Sequence, residues 1–431
     1  MRSKLVKKAT NTYKNQGSKA LVKKTLRFGY RKTTDPIFRR KDRKYYKQLW
    51  EEYAFVSNPI FQITSEDIRE SQLLVERTKL TKILTANWFV PNFDHLSFGG
   101  IFTIFRFVEK FSSEGVINRI IIYDKPSFDV AKLKLDIKDK FPNLKKYEII
   151  IFDHNNDDVN KLPECDIAIC SFWVSAYLLL KFNKTKRKYY FIQDYEPLFY
   201  PGGSTYALAE STYRFGFKGL VNTPGLLAAI NKRHGTEGIS FIPAVDQTIY
   251  HPDPKRKKAT KTRVFFYARP NNPRNAFNLG ITIIKQLLDN YGKNIEIITA
   301  GAKWKESAYG LRGKITNLGL IESVSEVANL YRNCDIGFVY MLSKHPSYQP
   351  FEFMASGMAT VTNNNEDNLW LLKDGENCLL SEPSASAMVE KISLLIENEK
   401  LRRKIANNGL NSLGYTWSRQ LEMIWSDIKQ Y

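Results

Sequence analysis

The sequence is poor in cysteine and histidine: its 431 residues include only four of the first and five of the second. Cys165, Cys170, Cys334 and Cys378 form no CxxC pair, and no cluster of histidines lies near them. This usage argues against a zinc site and against a disulfide-rich secreted domain. A reducing cytoplasm is the compartment that it favours.

Long apolar runs are also missing. The most membrane-like stretch, "IAICSFWVSAYLLL" at Ile167–Leu180, has 14 uncharged residues, whereas a helix that spans a bilayer needs roughly 20. The first residues lack the continuous apolar core of a secretory signal peptide. We therefore expect a cytoplasmic protein that is soluble or is attached peripherally to the inner face of the cell membrane.

Acidic residues are scarce at one end of the chain. Residues 1–48 hold 17 Lys and Arg against Asp35 and Asp42, which places +15 of the net charge of +21 there and leaves +6 for the rest. Residues 36–55 then bring aromatic side chains near helical spacing, which predicts a basic amphipathic helix. Such an arm suits an anionic membrane surface or a nucleic acid. A helix packed on the next domain is the simpler alternative.

The remainder alternates buried strands with helices, the pattern of a doubly wound α/β fold. A chain of this length also favours two domains. The predicted parts are a basic arm at 1–60, a first domain at 61–243, a Pro-, Lys- and Asp-rich linker at 244–262, a second domain at 263–416 and a final helix at 417–431, which either ends the second domain or crosses back to the first. The predicted strands are Lys82–Val90, Ile117–Asp124, Tyr147–Asp153, Asp166–Ser171, Tyr189–Asp194, Lys218–Asn222, Val264–Pro270, Ile295–Gly301, Asp335–Met341 and Met358–Asn363.

Ligands of open parallel sheets collect at the carboxyl ends of the strands, so the loops there carry the candidate residues. After the first strand, Gly99 and Gly100 precede a helix and leave backbone N–H groups open to an anion; an ordinary helix entry would look the same. Asp94 and His95 stand in the same loop. His95 is a candidate to share a proton at the reacting groups, although most loop histidines are inert.

Carboxylates follow the strand that ends at Asp194, in "YYFIQDYEPLFYPGGS". Asp194 and Glu196 stand among aromatic residues that can stack on a sugar ring. They are candidates to hold acceptor hydroxyls or to act as a base. Helix capping and surface ion pairs are the structural alternatives.

Basic residues follow two strands of the second domain. Arg269 and Arg274 flank "PNNP", and Lys303 and Lys305 follow "TAGA". Cations fixed at two adjacent strand ends predict a diphosphate pocket. Isolated loop lysines are commonly only solvated, but two such loops in register are harder to dismiss.

One glutamate lies in an apolar setting, in "HPSYQPFEFMASGMATVT". Its small residues predict a short helix that ends at Gly357 and has Glu352 in its first turn. A carboxylate can accept two hydroxyl hydrogen bonds, which suits a ribose diol, whereas a deoxyribose would offer one. A glutamate that merely stabilises the helix start is the alternative.

These stretches resemble the retaining Leloir glycosyltransferases of GT-B fold, in which two Rossmann-like domains face a central cleft. Within that group they resemble the rhamnosyltransferases that build rhamnose-rich cell-surface glycans. The matching segments run in consistent order from about Lys82 to the end of the chain, and they are Phe98–Ile101, Phe191–Tyr213, Tyr267–Gly280, Thr299–Trp304, His345–Asn363 and Tyr415–Gln420.

The resemblance implies roles for individual residues. Arg269 and Lys303 correspond to the cations that neutralise the donor diphosphate, and Glu352 to the second acid of the paired-glutamate motif. Tyr348 is a candidate contact to base or sugar, and Gly99 and Gly100 match the loop that meets the diphosphate from the other domain.

The sequence departs from the family motif eight positions before Glu352, where Lys344 replaces the first acid. In related enzymes that acid approaches hydroxyls of the donor sugar. A lysine cannot accept such bonds and could face phosphate or solvent instead. The departure is compatible with a deoxysugar such as rhamnose.

The resemblance implies transfer of a sugar, most simply L-rhamnose from dTDP-rhamnose, to a saccharide or lipid-linked glycan acceptor with retention of configuration. No metal or other cofactor is expected, because cations match the diphosphate charge and no Asp-x-Asp motif is present. The arm is expected to bind the anionic membrane surface, and no nucleic acid is expected. The alternative is a nucleic-acid-binding protein that uses the basic arm.

Overall fold

The computed structural model describes residues 45–77, 80, 82–93, 95–96, 99–124, 129–256, 259–345 and 347–430. Most of the predicted basic arm, residues 1–44, lies outside the described residues, as do Asp94 and Phe98. The chain divides into two compact units, Met1–Gln62 and Ile63–Tyr431.

In the first unit, helix α1 spans residues 45–56, which overlaps the stretch 36–55 for which the sequence predicts a helix. A short 3-10 turn follows at Pro59–Phe61. The helix leaves a row of large apolar side chains exposed, namely Tyr45, Tyr46, Leu49, Trp50, Tyr53 and Phe55.

The second unit begins with a seven-stranded parallel sheet whose strands have the order β3-β2-β1-β4-β5-β6-β7. The strands are β1 Thr85–Pro91, β2 Ile117–Tyr123, β3 Tyr147–Phe152, β4 Cys165–Cys170, β5 Thr185–Ile192, β6 Lys218–Asn222 and β7 Gly238–Phe241. The helices that accompany them are α2 Ser65–Arg77, α3 Gly99–Ser113, α4 Val130–Lys140, α5 Trp173–Lys181, α6 Ser204–Ser211 and α7 Pro224–His234.

A six-stranded parallel sheet follows, in the order β10-β9-β8-β11-β12-β13. Its strands are β8 Thr262–Ala268, β9 Ile295–Gly301, β10 Thr316–Asn317, β11 Ile336–Val339, β12 Ala359–Asn363 and β13 Leu379–Ser381. The helices are α8 Phe277–Tyr291, α9 Val324–Arg332, α10 Gln349–Ala355, α11 Ala385–Glu397, α12 Glu399–Asn411 and α13 Trp417–Gln430. Two α/β parts with parallel sheets are thus confirmed.

The membrane-like stretch of the sequence belongs to the interior. Ile167–Leu180 supplies most of β4 and nearly all of α5, whose side chains are almost all buried. Parallel sheets covered on both faces need such continuous apolar strands. Among the described residues, no helix combines the length and the apolarity that crossing a bilayer requires.

Three strands that the sequence reasoning did not predict are β7, β10 and β13. They are the outer strands of their sheets or short pairings of two to four residues. Strand β5 also begins four residues earlier than predicted, through the basic "TKRK". Lys188 there is buried, and its ammonium donates to Ser71 Oγ (2.9 Å) and to the carbonyl of Leu180 (3.0 Å). Burial lowers the pKa of Lys188 to about 7.

The last helix, α13, packs on the first sheet rather than on the second. Ile424, Trp425 and Ile428 are buried in the core of the first sheet, and the Trp425 ring lies 4.9 Å from that of Phe111 in α3. The Gln420 side chain accepts a hydrogen bond from the backbone N–H of Ile242, just after β7 (2.9 Å). The chain therefore returns to its first sheet after completing the second.

Helix α8 lies unusually close to β8, and this contact provides a test of the second core. A Cβ atom at Gly280 would come within 2.0 Å of the Phe266 ring, and that ring is fully buried. We expect Gly280→Ala to lower the free energy of unfolding by about 1–3 kcal/mol or more, because an overpacked core must shift. Denaturant titration measures this.

Lys285→Ala is the matched control, since Lys285 lies on the exposed face of the same helix. Its effect should stay within about 0.5 kcal/mol. Equal stability of the two variants would contradict the close packing of α8 on β8.

Candidate active site

Loops at the carboxyl ends of the two sheets meet in a cleft, and Tyr348 joins its sides. Tyr348 directly precedes α10 in the second part, and its hydroxyl lies 2.7 Å from Thr103 Oγ1 in α3. The same hydroxyl accepts a hydrogen bond from Asn222 Nδ2 at the end of β6 (3.2 Å). The ring also lies beside Gly99, where a Cβ atom would stand 3.5 Å from it. In this structure, then, the polar end of Tyr348 is engaged by the first part of the chain.

Gly99 and Gly100 are the first residues of α3 and are exposed. The carbonyl of Gly100 accepts a hydrogen bond from Gln193 Nε2, just after β5 (3.0 Å). The glycine pair thus lies where loops from β1 and β5 meet, at the cleft. His95 lies in the loop between β1 and α3.

Arg269 and Lys303 follow the paired ends of neighbouring strands, since Ala268 of β8 is in register with Gly301 of β9. Both side chains are exposed. Arg269 contacts Tyr267, with its guanidinium carbon 5.9 Å from the ring centre. Neither cation has an acidic partner among the residues that the structure describes. Two positive charges without an acidic partner among those residues therefore follow neighbouring strand ends at this edge of the sheet.

Arg274 differs from these two cations. Its Nη1 lies 3.1 Å from Oδ2 of Asp194, and its guanidinium carbon lies 4.0 Å above the Phe199 ring. The sequence interpretation made Arg274 a diphosphate cation, but the structure pairs its charge with an acid from the facing loop.

Asp194 is likewise engaged. Besides the ion pair, its Oδ1 accepts the backbone N–H of Tyr195 (2.8 Å), and only 6% of the residue is exposed. Both carboxylate oxygens have partners, so the base role proposed from the sequence would require Asp194 to exchange one of them.

Glu196 has a structural setting. Its Oε2 accepts the backbone N–H of Trp173 at the start of α5 (2.7 Å) and the hydroxyl of Tyr190 (2.7 Å). Burial raises the pKa of Glu196 to about 8. Of the two interpretations of this residue, helix capping is the one that the geometry fits.

Glu352 lies in the first turn of α10, as the sequence predicted. Its carboxylate accepts a hydrogen bond from the Tyr250 hydroxyl. Burial raises the pKa of Tyr267, and the charge of Glu352 raises it further. Burial raises the pKa of Glu352 to about 7, and the hydrogen bond with Tyr250 partly offsets this effect. Glu352 is therefore a carboxyl group that can change its charge near neutral pH.

Lys344, the residue that departs from the family motif, is paired with an acid in this structure. Its Nζ lies 2.6 Å from Oδ2 of Asp367, in the loop after β12. The Asn365 side chain of that loop also donates to the carbonyl of Ser343. The loops after β11 and β12 are thus tied together, and the charge of Lys344 is compensated.

His345 is the residue that the sequence reasoning missed as a site candidate. It lies next to Lys344 and is only 4% exposed. Its Nδ1 accepts the backbone N–H of Ser347 (2.9 Å), and its charge state is influenced by Asp194 and Arg274. Its place next to Lys344, in the family motif, could have identified His345 from the sequence. Its contacts with other loops could not. No group of three or more His, Cys, Asp or Glu within the described residues is placed to hold a metal ion.

Comparison with protein families decides the relationship. Residues 86–221 match the model described as "WsaF, N-terminal domain", and residues 262–393 match the one described as "WsaF, C-terminal domain". The two matches together cover more than half of the chain and fall on the two sheets in order. The chain belongs to the WsaF family. The predicted resemblance to glycosyltransferases of the rhamnosyltransferase type is thereby confirmed.

Individual proteins similar to this WsaF-family chain are consistent with the family assignment. It is 40% identical over 367 residues to "O-antigen biosynthesis protein RfbC" of Myxococcus xanthus, a match that covers 85% of this chain but only 28% of that protein. Sucrose-phosphate synthase from Thermosynechococcus elongatus superposes with a TM-score of 0.64 at 10% identity, over 80% of this chain and 98% of that one. HepE from Anabaena, solved with UDP-glucose, gives 0.62 at 14% identity, over 81% and 100%. These structures share the GT-B fold with this chain.

Proposed function

We propose that this WsaF-family chain transfers L-rhamnose from dTDP-rhamnose to a saccharide or lipid-linked glycan acceptor, with retention, during assembly of a cell-surface polysaccharide. The observation that carries the proposal is the pair of uncompensated cations, Arg269 and Lys303, at adjoining strand ends of the second sheet. A nucleotide diphosphate sugar brings the two negative charges that such a pair can neutralise. The nucleic-acid interpretation of the chain leaves this pair unexplained.

The reaction places its largest charge change on the leaving diphosphate. As the glycosidic bond breaks, positive charge spreads over the sugar ring while negative charge grows on the phosphate oxygens. Arg269 and Lys303 stabilise that negative charge most strongly in the transition state, which is the condition for lowering the barrier. The backbone N–H groups at Gly99 and Gly100 are placed to assist from the first domain.

The two acids that follow β5 are both engaged by protein groups, which favours a retaining mechanism that uses no carboxylate nucleophile. Asp194 is paired with Arg274, and Glu196 caps α5. A double displacement like that of retaining glycosidases needs a free carboxylate beside the anomeric carbon. We therefore favour front-side attack, in which the departing phosphate takes the proton of the acceptor hydroxyl. His95 remains a candidate for contact with the reacting groups.

The nucleotide end of the donor is assigned to Glu352, whose carboxylate would accept the one free hydroxyl of a deoxyribose. The name of the Myxococcus relative supports a role in O-antigen-like glycans, and the HepE complex supports nucleotide-sugar binding by this fold. Rhamnose is favoured because Lys344, paired with Asp367, cannot accept sugar hydroxyls as the usual acid does.

A panel of nucleotide sugars tests this function directly. We expect dTDP-rhamnose to raise the unfolding temperature more than UDP- or GDP-sugars do, because a ligand that binds only the native state stabilises it. Arg269→Ala and Lys303→Ala should each reduce rhamnosyl transfer about 10²–10³-fold, while Lys314→Ala, an exposed lysine on the same domain, should not. NMR of the product determines its anomeric configuration. Unchanged transfer by both site variants would refute the assignment.

The raised pKa of Glu352 leads to a pH dependence. If the ionised carboxylate binds the nucleotide, affinity for dTDP-rhamnose should rise as the pH rises through about 7. At pH 6 about a tenth of the carboxyl groups would be ionised, so binding should be about tenfold weaker than at pH 8.5. The diphosphate of a sugar nucleotide does not titrate in this range. Calorimetry on Glu352→Gln should give weaker binding with no such slope, and a preserved slope would point to another group.

The N-terminal arm is assigned to an anionic membrane, where lipid-linked acceptors are presented. The exposed aromatic row of α1 adjoins the basic residues 1–48, and aromatic with basic residues suits a lipid surface. We expect Trp50→Ala with Tyr53→Ala to reduce co-sedimentation with phosphatidylglycerol vesicles several-fold. Leu135→Ala with Leu394→Ala, exposed apolar residues on other helices, is the control. Binding that ignores the anionic lipid content, or steeply salt-dependent binding to RNA alone, would overturn the assignment.

A further inference from the structure

His345 lies in a polar cluster that the roles assigned so far do not use. We define the His345 cluster as Asp194, Arg274, Ser343 and His345. The loops after β8 and β11 are joined at this point, because the backbone N–H of Leu342 donates to the carbonyl of Arg274 (2.9 Å). Asp194 closes the cluster from the first domain by its ion pair with Arg274. Three strand-end loops thus contribute to one location in the cleft.

The histidine has a fixed hydrogen-bonding pattern. Because Nδ1 accepts the N–H of Ser347, the proton of the neutral ring must be on Nε2. Burial lowers the pKa of His345 to about 4, so the ring is neutral at working pH. Ser347 has a φ of 68°, a left-handed conformation that is strained for a non-glycine residue. The strained backbone at Ser347 thus holds the His345 ring with its Nε2–H available as a donor.

Several donors of the cluster have no partner. His345 Nε2, Arg274 Nε and Ser343 Oγ are all buried, and none has a hydrogen-bond partner within the described part of the chain. Each buried polar group that lacks a hydrogen bond lowers the stability of the folded protein. Native proteins keep few such groups without a reason. Three of them lie close together on two joined loops, where the oxygens of a ligand would supply their acceptors.

The charge of the cluster indicates which part of a ligand it suits. Asp194 cancels the charge of Arg274, and His345 is neutral, so the cluster as a whole has no net charge. Arg269 and Lys303, by contrast, keep their charges uncompensated nearby on the same domain. A neutral group of donors beside one carboxylate suits hydroxyl groups, whereas the free cations suit the diphosphate.

We propose that His345 donates a hydrogen bond from Nε2 to a hydroxyl of the transferred sugar, with Ser343 and the Asp194–Arg274 pair completing the sugar subsite. This inference rests on the proposed function, since it assigns a part of the same donor. The contact would also let the chain recognise a sugar hydroxyl although Lys344 occupies the position of the usual acid. His345 is then a residue that decides specificity for the sugar and is indifferent to the nucleotide.

Two substitutions distinguish the roles of the two ring nitrogens of His345. In His345→Asn the amide oxygen can replace Nδ1 and accept from Ser347, but the Nε2 donor is lost. In His345→Gln the longer amide can replace the Nε2 donor, but the loop acceptor is lost. We expect His345→Asn to bind dTDP-rhamnose about tenfold more weakly than the native protein, the effect of one good hydrogen bond, and to bind dTDP within about twofold. His345→Gln should bind dTDP-rhamnose better than His345→Asn.

Calorimetry with dTDP and with dTDP-rhamnose on the full chain distinguishes the outcomes. Native-like affinity of His345→Asn for dTDP-rhamnose, or an equal loss for both ligands, would overturn the sugar contact while leaving the proposed function intact. Failure of the native chain to bind either ligand would overturn both. Ser343→Ala keeps the test valid if His345→Asn does not fold, because the Ser343 hydroxyl has no hydrogen-bond partner among the described residues. It should weaken binding of dTDP-rhamnose several-fold and leave dTDP binding unchanged.

Discussion

The ion pair between Arg274 and Asp194 is the interaction on which the organisation of the cleft depends. It removes one cation and one carboxylate from the set of free groups, and it fixes loops of both domains against each other. Within the described part of the chain, Arg269 and Lys303 then remain without an acidic partner, and the donors around His345 remain without an acceptor. A buried pair of this kind is costly to break from one side only, because the remaining charge loses its partner. The division of the cleft into a charged and a neutral region follows from this pairing.

Much of the fold could be predicted from the pattern of the sequence. Strands such as β2, β6 and β9 were placed within a residue or two, because a strand buried on both faces is a short continuous apolar run. The strands that were missed are short or lie at a sheet edge, where little burial is needed and no such run forms. The early start of β5 was missed for another reason. A lysine in the sequence suggests a surface position, but acceptors on α2, on α5 and at Asn183 allow Lys188 to be buried.

The candidate site was predicted less evenly. The predicted positions of Glu352 at a helix start and of Arg269 and Lys303 just after strands agree with the structure, because strand ends and helix starts can be located from sequence. The sequence did not identify partners, since Arg274 and Asp194, or Lys344 and Asp367, approach one another only when the loops fold together. This lack of information about partners affected the prediction of acidic residues most. Glu196 and Asp194 look equivalent in the sequence, yet one caps a helix inside the first domain and the other reaches across the cleft.

The return of α13 to the first sheet has a mechanical consequence. The polypeptide passes between the two domains twice, once after β7 and once before α13, so the second sheet is tethered to the first at both of its ends. A body held by two chain crossings cannot swing freely about one of them. Rotation about the line through both crossings is the motion that this connectivity hinders least.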